Sequence, residues 1–419
     1  MSRNLGYYVK YFSELPKEWR TIRLDKNVVD ILPGYAFKSY FFEEFKGTPL
    51  IRVRDVGKDK TEICYNGDFD RKYIVQKNDI LIGMDGEYLV SRWNGPKALL
   101  NQRVCRIESL DENFIDNDYL FYVVKKPIKK IEIQTPQTTV KHLSTKDIRK
   151  IRVPLPPLPE QHKIASILST VDDAIEKTDE VIGKAEMLKR GLMQSLLTRG
   201  IGHIKFRKTK LGEIPEPWKI KKLEDLIKIR SGNYFKYSEF VPKGIKVLKI
   251  DNVSFGEISW ENKSFLPISY VKKFPDLTLE KNSIVIALNR PVINGKLKLG
   301  ILNDVDIPSI LYQRVGKLVN QKKSELLDFY LYYVMSSSFF IKEIKRISIG
   351  TDQPYINPTE LVKLKIRIPP ISEQIKIVSI LREIDALIQK EKYSKKLLKE
   401  LKNGLMQVLL KGKVRVKVD

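Results

Sequence analysis

The chain has 419 residues, 42% of them hydrophobic, and 76 Lys and Arg against 51 Asp and Glu give a formal net charge of +25. This length exceeds one ordinary core and suits two domains, and the apolar content excludes a disordered tail. The charge favours a polyanionic partner without speaking to fold, while two cysteines, Cys64 and Cys105, form neither a disulfide framework nor a metal cluster and are expected as core thiols.

No apolar run approaches the ~18 residues of a membrane span, and no signal peptide opens the chain. A cytoplasmic protein without membrane contact is therefore expected. Leu15-Pro16-Lys17-Glu18-Trp19 opens a first globular segment of short strands, loops and some helix. Arg52, Arg54, Lys58 and Lys60 lie around one strand and loop. Asn78-Asp79-Ile80-Leu81-Ile82-Gly83 is a short apolar run between turn residues, which predicts a buried strand. Arg92, Asn94 and Lys97 follow a glycine-containing loop, and Gln102-Arg103-Val104-Cys105-Arg106-Ile107 alternates in strand fashion. Tyr119-Leu120-Phe121-Tyr122-Val123 predicts a packed helix, and Gln134–Thr139, with Gln137, lies at the far end of the segment.

Pro154, Pro156, Pro157 and Pro159 forbid a helix before them and suit a helix start after them. Glu160, beside Gln161, then sits in the first turn, where the helix dipole favours a carboxylate. Ile164, Leu168, Val171, Ile175, Thr178, Ile182 and Ala185 follow at alternating spacings of four and three, a coiled-coil seam. Gly200 is a natural stop. About 40 residues at ~1.5 Å each make a rod of roughly 60 Å.

The chain then repeats itself. Ile214-Pro215-Glu216-Pro217-Trp218 echoes the opening, Pro370-Ile371-Ser372-Glu373-Gln374 echoes Pro157-Leu158-Pro159-Glu160-Gln161, and Gly191-Leu192-Met193-Gln194 returns unchanged as Gly404-Leu405-Met406-Gln407. Ile377, Leu381, Ile384 and Ile388 restate the apolar seam. The expected boundaries are a globular domain over 1–157, a long helix over 158–199, a linker over 200–213, a second domain over 214–370, a second helix over 371–412 and a tail over 413–419. The fold class is α+β: two globular α/β domains separated by two long helices that form an antiparallel coiled coil, an internal repeat with pseudo-two-fold character. Each globular segment is expected to hold a twisted, partly closed sheet. Antiparallel pairing would place the two segments at opposite ends of the rod.

Over Glu160–Ile175 against Glu373–Ile388 nine of sixteen residues are identical, whereas the loops differ: Met84-Asp85-Gly86-Glu87-Tyr88 faces Leu288-Asn289-Arg290-Pro291-Val292. Shared helices suit a shared partner, and differing loops suit different targets; loops also drift faster than helices.

No catalytic, cofactor or metal constellation emerges. The Asn/Asp-Pro-Pro-Tyr/Phe and Gly-rich signatures of an adenine methyltransferase are missing, as are dinucleotide and nucleoside-triphosphate cradles. The three histidines, His142, His162 and His203, lie far apart. Binding residues remain. In the first half these are Arg52, Arg54, Lys58, Arg92, Asn94, Lys97 and Gln137; in the second, Lys249, Arg290, Asn294, Lys296 and Gln353. Amides and guanidiniums can bond base edges, and lysines can hold phosphates. Gln102-Arg103 and Gln313-Arg314 recur in both halves and suit shared structural or backbone work. Glu160, Gln161, Ile164, Leu168, Val171, Ile175 and their counterparts Glu373, Gln374, Ile377, Leu381, Ile384 and Ile388 are candidates for helix pairing and partner docking.

Leu155-Pro156-Pro157-Leu158-Pro159-Glu160-Gln161 and Ile368-Pro369-Pro370-Ile371-Ser372-Glu373-Gln374, each followed by a long helix with a late Gly-Leu-Met-Gln, resemble the specificity subunit of type I restriction-modification systems. The second copy has Ile371-Ser372 for Leu158-Pro159, and Ser also caps a helix start. The resemblance implies two target recognition domains, each reading one half of a split site in double-stranded DNA, with the paired helices setting the gap. It implies two modification (methyltransferase) subunits carrying S-adenosylmethionine and restriction subunits using ATP and Mg2+, so this chain is expected to be non-catalytic. A methylase-only specificity factor would look the same, and a coiled-coil adaptor with no DNA role is the rival class.

Overall fold

Leu158–Leu196 and Ile371–Leu409 are helices of 39 residues each, roughly 58 Å long. The computed structural model describes residues 15–135, 142–350 and 353–417. The chain divides into two compact units, one of Met1–Glu180 with Lys392–Asp419 and one of Val181–Glu391, so each unit takes part of both long helices.

In the first unit the opening strand Arg20–Arg23 pairs antiparallel with Arg152–Leu155, the strand just before the prolines. Pro156 and Pro157 then hold the chain out of helix, and the long helix begins at Leu158. Between these strands lie two small sheets. One is antiparallel, in the order Val29–Pro33, Val104–Ser109, Ile80–Gly83, Val90–Arg92. The other runs Phe42–Glu43, Cys64–Tyr65, Thr48–Ile51, Ala98–Leu100, Ile74–Val75, and its Leu50↔Leu99 pairing is parallel. The sequence suggested one partly closed sheet; these strands of two to six residues instead split between two. Gly34 marks the crossing: a Cβ there would sit 2.0 Å from the Asn101 carbonyl oxygen, so only glycine lets the two chains touch. The helix Asn117–Gln134, capped by Asp116, buries Tyr119, Leu120, Tyr122 and Val124 against the antiparallel sheet.

The second unit repeats the plan. Lys219–Lys222 pairs with Lys365–Ile368. One sheet runs Ile227–Ser231, Val315–Asn320, Ile284–Ala287, Leu299–Ile301, Phe255–Gly256, and the other runs Phe265–Leu266, Ile245–Leu248, Ser309–Leu311, Thr278–Leu279, again with a parallel pairing, Lys246↔Ser309. Two short helices, Asp328–Ser336 and Ser338–Ile347, stand where the first unit has one. Gly232 marks the same crossing, where an added Cβ would sit 2.2 Å from the Tyr312 carbonyl oxygen.

The long helices pair antiparallel within each unit. In the first, Asp179 pairs with Lys395 and Asp172 with Lys402, one number rising as the other falls. In the second, Lys189 pairs with Asp385. The apolar seam is divided between two duties. Ile164 and Leu168 join the core of the first unit, together with Leu409 and Leu410 from the other helix. Ile377 and Leu381 join the second core with Met193 and Leu196. Val171 and Ile388 are also buried, and Ile175 and Ile384 are half-buried. Cys105 lies in the first core, where burial pushes its thiol up to about 12, so it is an inert packing residue. Cys64 is half-buried.

Candidate nucleic-acid interface

Loops at the strand ends bring several sequence-predicted residues together. Gly57 N–H donates to Ser91 Oγ at 2.9 Å, and Gly95 packs on the Asp59 carbonyl. This joins the loop of exposed Arg54 and Lys58 to the loop of exposed Asn94 and Lys97. Two arginines from the same stretches are used inside the domain. Arg52 Nε donates to Asp55 at 3.2 Å, and a second nitrogen lies 3.5 Å from Glu62. Arg92 donates to Asp118 at 2.6 Å and lies over the Phe121 ring. Gln137 lies outside the described residues.

In the second unit Arg290, Asn294, Lys296 and Gln353 are all exposed. Arg290 N–H donates to the Pro354 carbonyl at 2.7 Å, which sets Arg290 beside Gln353. Asn294 and Gly295 both have positive φ and close the hairpin of Val292–Ile293 with Lys296–Leu297. Asn-Gly is the residue pair that such a tight turn requires, so Asn294 has a backbone duty. Lys249 donates to Ser264 Oγ at 2.7 Å and sits over the Phe240 and Tyr312 rings, in a cleft of about 420 Å³ that Tyr234 and Tyr237 also line.

Residues 102–103 and 313–314 depart from the expected strand. They form turns, because Arg103 and Arg314 adopt positive φ of 71° and 65°. Around Arg103 the sheet-end loops also gather Asp85, 3.4 Å from its Nε, and His142, whose Nδ1 lies 2.7 Å from Asp85 Oδ1. Matched positions in the second unit hold Asn289 and Tyr355, which pair through their backbones as Asp85 and His142 do. This trio was not legible as a site, since its members are separated by up to 57 residues.

The Glu-Gln pairs at the helix starts are fully engaged; Glu160, Gln161 and Gln374 are buried and Glu373 is half-buried. Glu160 accepts the Trp19 indole N–H at 3.0 Å and two Arg415 N–H groups at 2.8 and 3.0 Å. Glu373 accepts the Trp218 indole at 2.9 Å and the Ile201 N–H at 3.0 Å, with His203 Nε2 2.9 Å away. Thus the segment after each long helix returns to the glutamate that starts the other. Gln161 accepts from Asp116 N–H and donates to the carbonyls of Phe114 and Pro156. Gln374 does the same with Leu327, Glu325 and Pro369. Gly200 has positive φ, and a Cβ there would meet Glu373 Oε1 at 2.3 Å, so this return path needs glycine.

Each domain is also tied to the helix pair by a matched trio. Tyr122 donates to Asp172 at 2.9 Å, which Lys402 also contacts; Tyr333 donates to Asp385 at 2.8 Å, which Lys189 also contacts. Lys125 stands beside the first trio, 3.6 Å above the Phe121 ring. Burial, then the like charge of Lys402, lowers its pKa from 10.5 to about 7. The unfolded chain therefore holds a proton that the folded chain lacks between about pH 7 and 10.5, so this lysine makes stability rise with pH across that window. Lys125→Met is expected to stabilise the protein at pH 7 by about 1–2 kcal/mol, after discounting for partial solvent access, and to add little at pH 10. Urea midpoints of both proteins at the two pH values check this; an equal difference at both would refute it.

Among the described residues, no three His, Cys, Asp or Glu side chains are grouped to hold a metal ion. The family described as "Type I restriction modification DNA specificity domain" matches the chain twice, over residues 16–182 and 215–401. The chain belongs to this type I specificity family. Relatives in it include the type I restriction enzyme MjaVIII specificity subunit of Methanocaldococcus jannaschii, 40% identical over 96% of this chain and 94% of that one. The EcoBI specificity subunit of Escherichia coli is 26% identical over 93% of this chain and 83% of that one. The crystal structure of a type I restriction-modification S subunit from Mycoplasma genitalium covers 95% of this chain and 96% of that one, at 18% identity and a TM-score of 0.62, and so shares the fold.

Each type I specificity match spans one globular segment and the first part of the long helix after it. The Glu-Gln anchors and the tyrosine–aspartate–lysine trios lie inside the matched stretches, or on the helix that returns to them. No helix in the described residues is long and apolar enough to cross a membrane.

Proposed function

We propose that this chain is the DNA sequence-specificity subunit of a type I restriction-modification enzyme. Each globular domain reads one half of a bipartite site in double-stranded DNA. The domain over 1–157 and the domain over 214–370 are the two readers, and the helices over 158–199 and 371–412 set the gap. The observation that carries this reading is a contrast between the copies. Glu160/Glu373, Gln161/Gln374, Tyr122/Tyr333 and Asp172/Asp385 make the same contacts in both units. The exposed residues at the strand ends differ. A shared scaffold with unlike edges is what two readers of unlike half-sites need, and the +25 charge suits a phosphate backbone.

The helices also suit docking of two modification subunits and the restriction subunits. Leu188 and Leu401, at equivalent positions 213 apart, remain 55% and 51% exposed. Val181 and Leu387 are also exposed in the second unit, as are Tyr393 and Leu397 in the first. In this reading the chain is non-catalytic and works in the cytoplasm. S-adenosylmethionine, ATP and Mg2+ are held by the partner subunits, and a chain purified alone transfers no methyl group.

The deciding experiment exchanges residues 15–155 for the equivalent segment of a relative and maps methylated sites with the modification subunits present. One half-site is expected to change and the other to persist. If both change together, the segments are not independent readers; if methylation never depends on this chain, the adaptor reading takes its place.

A further inference from the structure

We propose that Arg103 and Arg314 are a matched pair of DNA phosphate clamps, one per domain, that hold either half-site in register without reading its sequence; the proposal rests on the DNA-specificity reading above.

Both arginines occupy the third position of a four-residue turn closed by a hydrogen bond, Val104 N–H to Asn101 O and Val315 N–H to Tyr312 O, each 3.3 Å. Positive φ at that position alone is the type II pattern, in which Gly or Asn is the expected residue. The other described non-glycine residues with positive φ are Asn78, Asn282, Asn294 and Arg290. An arginine kept in a left-handed conformation in both copies, where a glycine would be unstrained, is kept for its side chain.

The backbone around each turn is fixed in the same way. Gln102 N–H donates to Tyr35 O at 2.8 Å, and Gln313 N–H to Asn233 O at 2.9 Å. Met84 N–H donates to Arg103 O and Leu288 N–H to Arg314 O, both at 2.8 Å. Each guanidinium therefore leaves a rigid platform, and both side chains are exposed. Their neighbours are not matched. Tyr35 and Asn101 face each other in the first unit, and Asn233 and Tyr312, the same pair in reverse, in the second. Asp85 beside Arg103 becomes Asn289, and among the described residues Arg314 pairs with no carboxylate.

Two readers of different half-sites share only what the half-sites share, and that is the phosphate backbone. An invariant, pre-positioned guanidinium amid varied neighbours fits a phosphate oxygen and not a base edge. Arg103 must exchange Asp85 for the phosphate, whereas Arg314 has no carboxylate to exchange among the described residues, so Arg314 carries the larger share.

The test uses the full chain with its modification subunits and two duplexes of equal length, one carrying the mapped site and one with that site scrambled. Arg314→Gly relieves the turn and removes the charge. It is expected to leave the thermal midpoint unchanged or higher, to weaken both duplexes alike by roughly tenfold, and to make the log–log salt slope shallower by ~0.9. Arg103→Gly does the same with a smaller loss, and Arg314→Lys, which keeps a charge, retains the slope. The methylated sequence stays the same in every variant. The proposal is overturned if Arg314→Gly keeps wild-type affinity and slope, or if affinity falls for the mapped duplex alone with a relaxed half-site, which is base reading. A wild-type complex that shows no salt-dependent binding to either duplex overturns the DNA-specificity reading itself.

Discussion

Glu160→Ala is expected to destabilise the protein by about 3 kcal/mol, among the largest effects available to a single substitution. Glu160 is 2% exposed, and its carboxylate accepts the indole N–H of Trp19, itself buried. Removing the acceptor strands the N–H of an indole that is only 6% exposed. Arg415 keeps Glu18, 2.7 Å away, and is partly exposed to solvent, so the indole dominates the cost. Glu160→Gln keeps an oxygen for the indole and should cost about 1 kcal/mol. Urea unfolding followed by tryptophan fluorescence measures both. An alanine variant within 0.5 kcal/mol of wild type, about the scatter of surface substitutions, would show that the anchor is not needed. Glu373→Ala is the matched control in the second unit, where Trp218 and His203 are the groups left behind.

Lengthening both long helices by four residues, after Glu180 and after Glu391, is expected to change where the enzyme acts and not what it reads. These positions are the boundaries of the two units, so neither core is cut. Four residues add roughly 6 Å to each helix. Against a rise of ~3.4 Å per base pair that is just under two base pairs. Methylation mapping with the modification subunits should return the same two half-sites with a gap longer by about one or two base pairs. An active variant with an unaltered gap would remove the spacer role from the helices.

The duplication, the two helices and their antiparallel pairing were legible because they rest on local patterns. Prolines bar a helix before 158, apolar residues recur at spacings of three and four, and whole strings of residues return 213 positions later. The purposes of the individual motif residues were not legible. Glu160 and Gln161 look like a helix-start pair with a dipole-favoured carboxylate. Their real partners, Trp19, Asp116 and Arg415, lie 141, 45 and 255 residues away. The alternation of its neighbours reads Arg103 into a strand, but alternation does not reveal a positive φ. Asn294 reads as a base-contact candidate from its amide, and Asn-Gly between two short runs is also a hairpin signal, which names its backbone duty. Arg52 and Arg92 stand in basic loops, but only the folded chain brings Asp55 and Asp118 against them.

The return of each helix's trailing segment to the start of the other has a consequence for synthesis. Residues up to Glu180 leave the ribosome before the second unit, yet their own unit is closed by Lys392–Asp419, which emerge after it. The 211 residues of Val181–Glu391 separate the two events. At roughly 5–20 residues per second, that interval is on the order of ten to forty seconds. Throughout it, Glu160 lacks Arg415, and Ile164 and Leu168 lack Leu409 and Leu410 in their core. The half made first is finished last, and a nascent chain halted before Lys392 presents a bare apolar helix face for chaperones or proteases to find.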